Sequence, residues 1–461
     1  MIFSSITFLF YFLPVLLIVY YLVPKKAKNI VLLVSSMLFY FVGEPKYIFL
    51  MLVSILVTYI FGLLISKYEK HSKALLTISL IISGSFLVFF KYFDFLIENI
   101  NLFLNNKFNL LHLALPVGIS FYTFQMMSYL VDVYRKEVPA QKNILTLALY
   151  VVLFPQLIAG PIVRYTTVVK ELEEREHTFE KFSKGVTRFT IGLGKKVLIA
   201  NVIGELASIF LASGDRSVLY HWMYGIAVMM QIYFDFSGYS DMAIGLGKMF
   251  AFDYNENFNY PYIATSITEF WRRWHMSLSS WFRDYVYIPL GGNRVCKIKW
   301  IRNIFVVWLF TGFWHGAAWN FVVWGLYFAV ILLIEKLFLK KYLDKLPKIF
   351  SNIYTCILVM ISFIIFNGNG IKDISENLLG LIGYNGIPLV SAESIYYFKS
   401  YFIIFVLAII GSTPLMKMIV NSEKIKKVSN VLEPVFVVTV LLVSTAFIVD
   451  GSFNPFLYFR F

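Results

Sequence analysis

The chain has 461 residues, of which 59% are hydrophobic and only 15% are charged, and its mean hydropathy is +0.72. This composition lies outside the range of soluble globular domains and excludes water as the main solvent of the fold. In a soluble protein the net charge of +14 would suggest nucleic acid as a partner. A membrane explains it better, because lysine and arginine collect in short cytoplasmic loops beside anionic lipid headgroups. We therefore expect membrane lipids, and no nucleic acid, as partners.

The first 160 residues contain apolar stretches that predict transmembrane helices, since a bilayer core about 30 Å thick needs roughly 20 apolar residues per helix. These stretches are Ile6 to Val23, Asn29 to Val42, Tyr47 to Ile65, Ala74 to Tyr92, Leu111 to Val131 and Leu145 to Ile158. The first stretch has no basic residue before it and no small-residue cleavage pattern after it. We interpret it as a retained span and not as a signal peptide.

The basic residues between these stretches predict the orientation of the chain. They fall in alternate loops, at Lys25, Lys26 and Lys28, at Lys67, Lys70 and Lys73, and at Arg135, Lys136 and Lys142. Because positive loops stay in the cytoplasm, this pattern places the three loops inside and the N-terminus outside.

The middle of the chain, about residues 161–340, departs from this alternation. It contains a charged segment before Lys196 and a semi-polar segment between Asp253 and Lys299. Its apolar stretches are Lys196 to Ala212, Tyr220 to Phe236, Ile304 to Phe313 and Phe321 to Leu337. A semi-polar segment between spans predicts re-entrant or interfacial helices, which membranes tolerate where they pack in protein or line a cavity. We expect the functional site in this part of the chain.

The chain closes with three further apolar stretches, Ile349 to Phe366, Tyr401 to Ile419 and Leu432 to Val449. Since some stretches are too short to span alone, we predict an all-α polytopic membrane protein with about 11 transmembrane helices plus re-entrant or interfacial helices. It is expected to form a single integral-membrane domain over residues 1–461. Residues 1–160 supply the N-terminal spans, about 161–340 the core, and 341–461 the C-terminal spans.

Two of the six histidines lie in unusual surroundings. His315 is flanked by the apolar residues of Thr311 to Asn320, so burial is expected, and an ionisable group buried at membrane depth is functional by default. A structural imidazole bonded to a backbone carbonyl is the alternative. His275 lies in a window from Trp271 to Trp324 that holds eight of the nine tryptophans. That window fits either an interfacial aromatic belt or a binding cavity.

Other chemistries find little support in the sequence. Gly238 to Met242 lacks the last glycine of a nucleophile elbow. The two histidines have no carboxylate motif beside them, and the two cysteines have no metal-type spacing, so no metal site is predicted. Asp235 and Asp241, at the end of one apolar stretch, would suit the ion relay of a transporter or a lipid-linked glycan flippase. This is the alternative function.

Several motifs together resemble the membrane-bound O-acyltransferase family, and specifically its alginate O-acetylase-like bacterial branch. They extend over nearly the whole chain, from Met1 to Ser5 with Gly43 to Pro45, then Leu115 to Gln125, Phe154 to Ile162, Phe234 to Ala243, Trp271 to His275, Asp284 to Asn293, His315 and finally Phe456 to Phe461.

The resemblance implies that His315 is the catalytic histidine and His275 a second, upstream polar residue. It implies a funnel-like helical fold in the bacterial cytoplasmic membrane, whose thin centre lets acyl groups pass outward. The acyl donor would be a cytoplasmic thioester, usually acetyl-CoA, used as a co-substrate with no bound cofactor. The acetyl group would reach an extracytoplasmic polysaccharide through a partner protein.

The residue types suit this chemistry. Acyl transfer to a hydroxyl needs a base, and the neutral imidazole of His315 provides one at neutral pH. No serine or cysteine is marked as a covalent nucleophile, which favours direct attack. His275 would orient the acceptor or donate a hydrogen bond to the oxyanion.

Donor-binding candidates are Arg272, Arg273, Arg283, Trp314 and Asn320. The arginines would bind the phosphates of coenzyme A by bidentate hydrogen bonds. Snorkelling of their guanidinium groups to lipid headgroups is the alternative.

Overall fold

A computed structural model describes residues 2–104 and 107–451 of the chain. Met1 and the Phe456 to Phe461 ending, which contribute to the resemblance, lie outside the described residues. Within the described ranges the chain is helical and contains no β-strand.

The α-helices, in chain order, are α1 (Leu13–Leu22), α2 (Lys25–Gly43), α3 (Ile48–Lys67), α4 (Ser72–Leu104), α5 (Ile119–Tyr134), α6 (Ile144–Val152), α7 (Phe154–Leu157), α8 (Tyr165–Glu173), α9 (Phe179–Gly194), α10 (Val202–Ala212), α11 (Val218–Met249), α12 (Ile267–Arg273), α13 (Met276–Phe282), α14 (Lys297–His315), α15 (Trp319–Ile334), α16 (Lys340–Leu343), α17 (Lys348–Asn367), α18 (Ile371–Gly380), α19 (Ala392–Gly411), α20 (Leu415–Val420) and α21 (Lys426–Asp450). The π-helical segments are Thr7–Phe12, Lys195–Asn201, Arg283–Tyr287 and Glu335–Leu339, and the 3-10 turns are Glu69–His71, Pro261–Ile263 and Tyr384–Gly386.

Within the described residues, seven helical segments are long and apolar enough to cross a membrane. They are Lys25–Gly43, Ile48–Lys67, Glu69–Leu104, Trp319–Leu343, Lys348–Asn367, Ala392–Gly411 and Lys426–Asp450. A shorter apolar segment, Thr7–Leu22, precedes them. The prediction of an all-helical, multi-pass membrane protein is confirmed, while the count of about 11 spans and the funnel shape stay predictions.

Two predicted spans take a different form. The stretch from Leu111 to Val131 is non-helical until α5 begins at Ile119. Gly118, which precedes α5, has a left-handed φ of +77° and lies so close to α7 that a Cβ would be 2.7 Å from the Leu157 oxygen. The stretch from Tyr220 to Phe236 forms the first part of the 32-residue helix α11, which extends to Met249 and carries the buried Asp235 and Asp241. Packing inside the protein, and not lipid, surrounds this part of α11.

The chain forms two compact units, one of Met1–Phe189 with Ser240–Asn255 and one of Thr190–Tyr239 with Glu256–Phe461. In the first unit α3, α4 and α5 pack against one another, and α2 packs on α6. In the second unit α14 and α15 form a tight hairpin, α15 packs on α17, and α10 packs on α19. Both candidate histidines belong to the second unit.

In the first unit, two of the loops that the sequence places in the cytoplasm lie side by side. Lys136 forms an ion pair with Glu69 at 2.7 Å, and the Tyr59 hydroxyl donates to the backbone oxygen of Lys142 at 2.7 Å. The charged segment before α9 is tied to the start of α2, where Arg175 donates to Asn29 at 2.6 Å. The second and third basic loops are therefore neighbours, and the start of α2 is held by the segment before α9.

The aromatic core of the second unit is built from the tryptophan-rich window. Trp271 packs on Trp308 and Phe328, with ring centroids 4.6 and 4.9 Å apart, and Trp324 packs on Phe328 at 5.2 Å. The buried indoles are those of Trp271, Trp274, Trp281, Trp308, Trp314 and Trp324. Because these side chains lie inside the protein, they do not form an interfacial belt.

Candidate active site

The hairpin of α14 and α15 fixes the position of His315. A Cβ built on Gly312 would collide with the backbone oxygen of Phe321, and one built on Gly325 would collide with that of Trp308. Glycine at both positions therefore lets the two backbones touch, which larger side chains would prevent. His315 ends α14 one turn after Gly312, and Gly316 continues in an extended conformation.

The His315 imidazole lies in an aromatic enclosure and is 7% exposed. The rings of Trp324 and Phe366 contact it edge-on at 5.0 and 5.2 Å, and that of Trp314 lies at 5.0 Å. Asn320 donates to the backbone oxygen of Phe366 at 2.8 Å, which holds the end of α17 against the start of α15. The expectation that His315 is buried among apolar residues is confirmed.

His275 occupies the connection between α12 and α13. It has a left-handed φ of +43° and is 1% exposed, with Phe236 edge-on at 4.7 Å. Trp314 lies 5.8 Å from the His275 ring and 5.0 Å from the His315 ring. Two histidines that are 40 positions apart in sequence therefore flank the same indole.

The electrostatic surroundings favour the neutral form of His275. Burial lowers its pKa well below the ordinary value, and positive charge on the nearby His315 would lower it further. Since an uncompensated charge is costly away from water, this imidazole is neutral at neutral pH. Its Nδ1 atom lies 3.2 Å from the Oδ1 atom of Asn257.

The three predicted donor-binding arginines differ in what they contact. Arg273 forms an ion pair with Glu269 at 2.9 Å and donates to the backbone oxygen of Asn259. Arg283 forms two hydrogen bonds with the carboxylate of its neighbour Asp284, at 2.6 and 3.1 Å. Arg272 is exposed, close enough to Lys336 for the two positive charges to repel.

An open cleft lies at the start of α14. It has a volume of ≈ 530 Å³ and is lined by Tyr287, Asn293, Val295, Lys297, Trp300 and Lys336. The Lys336 ammonium lies 5.9 Å from the centre of the Trp300 ring. Lys297 and Lys336 therefore give this cleft two positive charges beside an aromatic ring.

The carboxylate of Glu335 stabilises the start of α12, a role that was not predicted from the sequence. Glu335 is fully buried and accepts the backbone N–H groups of Ile267 and Thr268 at 2.7 and 3.0 Å, together with the Thr268 hydroxyl at 3.0 Å. It therefore caps the first turn of the helix that leads to His275. Its signal in the sequence is a carboxylate near the end of the apolar stretch from Phe321 to Leu337.

The two aspartates of the alternative function each contact a cation. Asp235 forms an ion pair with Lys196 at 2.5 Å, and Asp241 forms one with Arg188 at 2.6 Å. Within the part of the chain that the structure describes, no cluster of three or more His, Cys, Asp or Glu side chains is arranged to hold a metal ion.

The fold and site define a multi-pass membrane protein with two buried histidines in an aromatic core. Residues 135–371 match the membrane-bound O-acyltransferase family, and the chain belongs to this family. It is therefore an O-acyltransferase, as the resemblance implied.

Three relatives illustrate the similarity. The chain is 41% identical to the probable alginate O-acetylase of Azotobacter vinelandii over 80% of its own length and 76% of the relative's. It is 35% identical to the peptidoglycan O-acetyltransferase of Helicobacter pylori over 84% and 81% of the two chains. Similarity to the teichoic acid D-alanyltransferase of Bacillus subtilis is 32% identity over 55% of this chain and 68% of that one.

Proposed function

We propose that this protein transfers acetyl groups from a cytoplasmic thioester, with acetyl-CoA as the co-substrate, toward an extracytoplasmic polysaccharide. The buried His315 imidazole carries the proposal, because it is a base in an enclosure that limits access of water. Two relatives that match over most of the chain are named as acetylating enzymes, and their names concern alginate and peptidoglycan. These names favour acetyl as the acyl group and a glycan as its final acceptor.

His315 acts as the general base in the proposed reaction. It takes the proton of an acceptor hydroxyl while the hydroxyl oxygen attacks the thioester carbonyl carbon. The carbon–sulfur bond then breaks, and the thiolate leaves with the proton that His315 returns. The immediate acceptor is either the polysaccharide or a partner protein that passes the acetyl group on.

The proposed orientation has the N-terminus outside the bacterial cytoplasmic membrane. The ion pair of Lys136 with Glu69 supports a shared cytoplasmic face for the second and third basic loops. On the donor side, Arg272, Lys336 and Lys297 are exposed cations. We propose that they attract the phosphates of coenzyme A, with Trp300 beside them.

The experiment replaces His315 in the full-length protein and measures base-releasable acetate on cell-envelope polymers by mass spectrometry. His315→Ala is expected to abolish acetylation while the amount of folded protein in the membrane persists. His221→Gln is the matched control, because His221 is also buried in the second unit but packs on Phe210 and Gly380. Purified protein should also consume acetyl-CoA.

Three results would count against the proposal. Full acetylation by His315→Ala would remove the base assignment. Failure of the purified wild-type protein to react with any acyl-CoA or acyl-carrier donor would remove the thioester. Substrate flux that depends on Asp235 or Asp241, and not on His315, would favour the transporter alternative.

A further inference from the structure

The backbone on both sides of His275 is held by a distant segment of the second unit. The N–H of Met276 donates to the backbone oxygen of Asn257, and the N–H of Asn259 donates to that of Arg273, both at 2.9 Å. The left-handed conformation of His275 is uncommon for residues other than glycine, and these bonds stabilise it. The position of the ring is therefore determined by residues 257–259.

The side chain of Asn257 is fully buried, and its orientation is fixed by Ser277. Its Oδ1 atom lies 3.2 Å from the backbone nitrogen of Ser277 and 2.8 Å from the Ser277 hydroxyl. A backbone N–H group can only donate, so the atom that faces it must be the amide oxygen and not the amide nitrogen.

This orientation determines which nitrogen of His275 carries the proton. Nδ1 lies 3.2 Å from the same Oδ1 atom, and two lone pairs at that distance would repel each other. Nδ1 is therefore protonated and donates to Asn257. A neutral imidazole has one ring proton, so Nε2 carries a lone pair and can only accept.

The Nε2 atom is buried and has no hydrogen-bond partner within residues 2–104 and 107–451. Its ring is 1% exposed and packs on Phe236 and Trp314. Buried polar atoms in folded proteins nearly always have a partner. His275 Nε2 is therefore available to accept a hydrogen bond from a donor group of a bound molecule.

We propose that Asn257 is a positioning residue that holds His275 in the Nδ1-protonated form, so that His275 Nε2 accepts a hydrogen bond from an O–H or N–H group of a bound substrate. This inference rests on the proposed function and refines it. Donation from neutral His275 to the oxyanion is excluded, because Nε2 has no proton to give. The proton of the reacting hydroxyl still passes to His315, so His275 binds a different O–H or N–H group.

Nitrogen NMR of the full-length protein, labelled at histidine and embedded in lipid bilayers, tests the tautomer without any activity. The His275 signals are those that disappear in His275→Gln. We expect Nδ1 protonated and Nε2 unprotonated in the wild type. Asn257→Leu, which removes the acceptor at similar volume, should lose this preference.

Asn303→Leu is the matched control for loss of a buried amide. Asn303 is also fully buried, and its Nδ2 atom donates to the backbone oxygens of Leu290 and Gly292 at 3.1 and 3.0 Å. In this control the His275 signals should stay as in the wild type.

Kinetics with acetyl-CoA identify which group of the substrates donates the hydrogen bond to His275 Nε2. Asn257→Leu should lower acetyl transfer by about 100-fold, the size of effect expected when a reacting group is misplaced by roughly 1 Å. If a second acceptor hydroxyl donates to Nε2, the KM for acetyl-CoA stays at the wild-type value. If an amide N–H of the pantetheine arm donates, the KM for acetyl-CoA rises.

A wild-type spectrum in which Nε2 is protonated would overturn the inference. A wild-type rate of acetyl transfer by the Asn257→Leu variant would overturn it as well. If Asn257→Leu does not fold, the wild-type spectrum still decides the tautomer. If the wild-type protein does not react with acetyl-CoA, the proposed function fails while the spectrum still tests the role of Asn257.

Discussion

Lys196 and Asp235 form an ion pair inside the second unit, with Nζ and Oδ1 separated by 2.5 Å and the two side chains only 2% and 3% exposed. Lys196 lies on the π-helical segment that follows α9, and Asp235 lies in the middle of α11. The pair therefore joins two helices of one unit where water has little access.

Removing one partner of this pair should destabilise the protein strongly. Asp235→Ala leaves the Lys196 ammonium buried without its carboxylate, at a cost of about 3–5 kcal/mol. Thermal unfolding in detergent measures the loss. The double variant Lys196→Met with Asp235→Ala should be less damaging than the sum of the single variants, and strictly additive losses would show that the pair is not coupled.

Replacing Glu335 by glutamine should weaken the attachment of α12. The amide keeps one acceptor oxygen but loses the charge that strengthens the bonds to Ile267 and Thr268, so we expect about 1.5–3 kcal/mol of lost stability. Acetyl transfer should fall as well, since α12 leads to His275. Glu376→Gln is the control, because that carboxylate is exposed. Equal melting temperatures for both variants would count against the capping role.

Adding a methyl group at the contact between α14 and α15 should disrupt the hairpin. Gly312→Ala and Gly325→Ala each place a Cβ against a backbone oxygen, and overpacking of this kind costs about 1–3 kcal/mol or more. Both variants should give less folded protein in size-exclusion chromatography. Gly214→Ala is the control, since a Cβ there meets no atom within 4 Å. Wild-type yields for all three would contradict the close contact.

The stability of the first unit should depend on pH through His177. Its Nε2 atom lies 2.8 Å from the Tyr20 hydroxyl, and burial lowers its pKa to about 4, with Lys28 and Arg175 acting in the same direction. In the unfolded chain the pKa of histidine is about 6.5. The folded state therefore binds the proton less tightly than the unfolded state, and stability falls as the pH drops from about 6.5 to about 4.

The measurement compares melting temperatures of the wild type and His177→Gln across that pH range in one detergent. The difference between the two proteins should change below pH ~6.5 and level off near pH ~4, since both states are protonated below that. A difference that does not vary with pH would contradict the depressed pKa.

The sequence predicted those features that depend on local hydropathy. The span from Tyr47 to Ile65 appears as Ile48–Lys67, and the span from Ile349 to Phe366 as Lys348–Asn367. Burial of His315 followed from its apolar neighbours. Spacing along the chain was sufficient because each of these properties belongs to one segment.

Features that depend on contacts between distant segments were not predicted. Asn257 is 18 positions from His275, and Glu335 is 68 positions from Ile267, so nothing in their own neighbourhoods indicates the hydrogen bonds. The ion pair of Arg273 with Glu269 was within reach of sequence analysis, because residues four positions apart share a helix face.

The glycine contact between α14 and α15 also restricts how the protein can move. A screw motion of α14 by one residue would bring Thr311 or Phe313 to the crossing in place of Gly312, and neither side chain fits against the Phe321 backbone. We therefore expect the hairpin to move as one rigid body, which would keep the height of the His315 imidazole along α15 constant. Any opening and closing during turnover has to come from other parts of the protein.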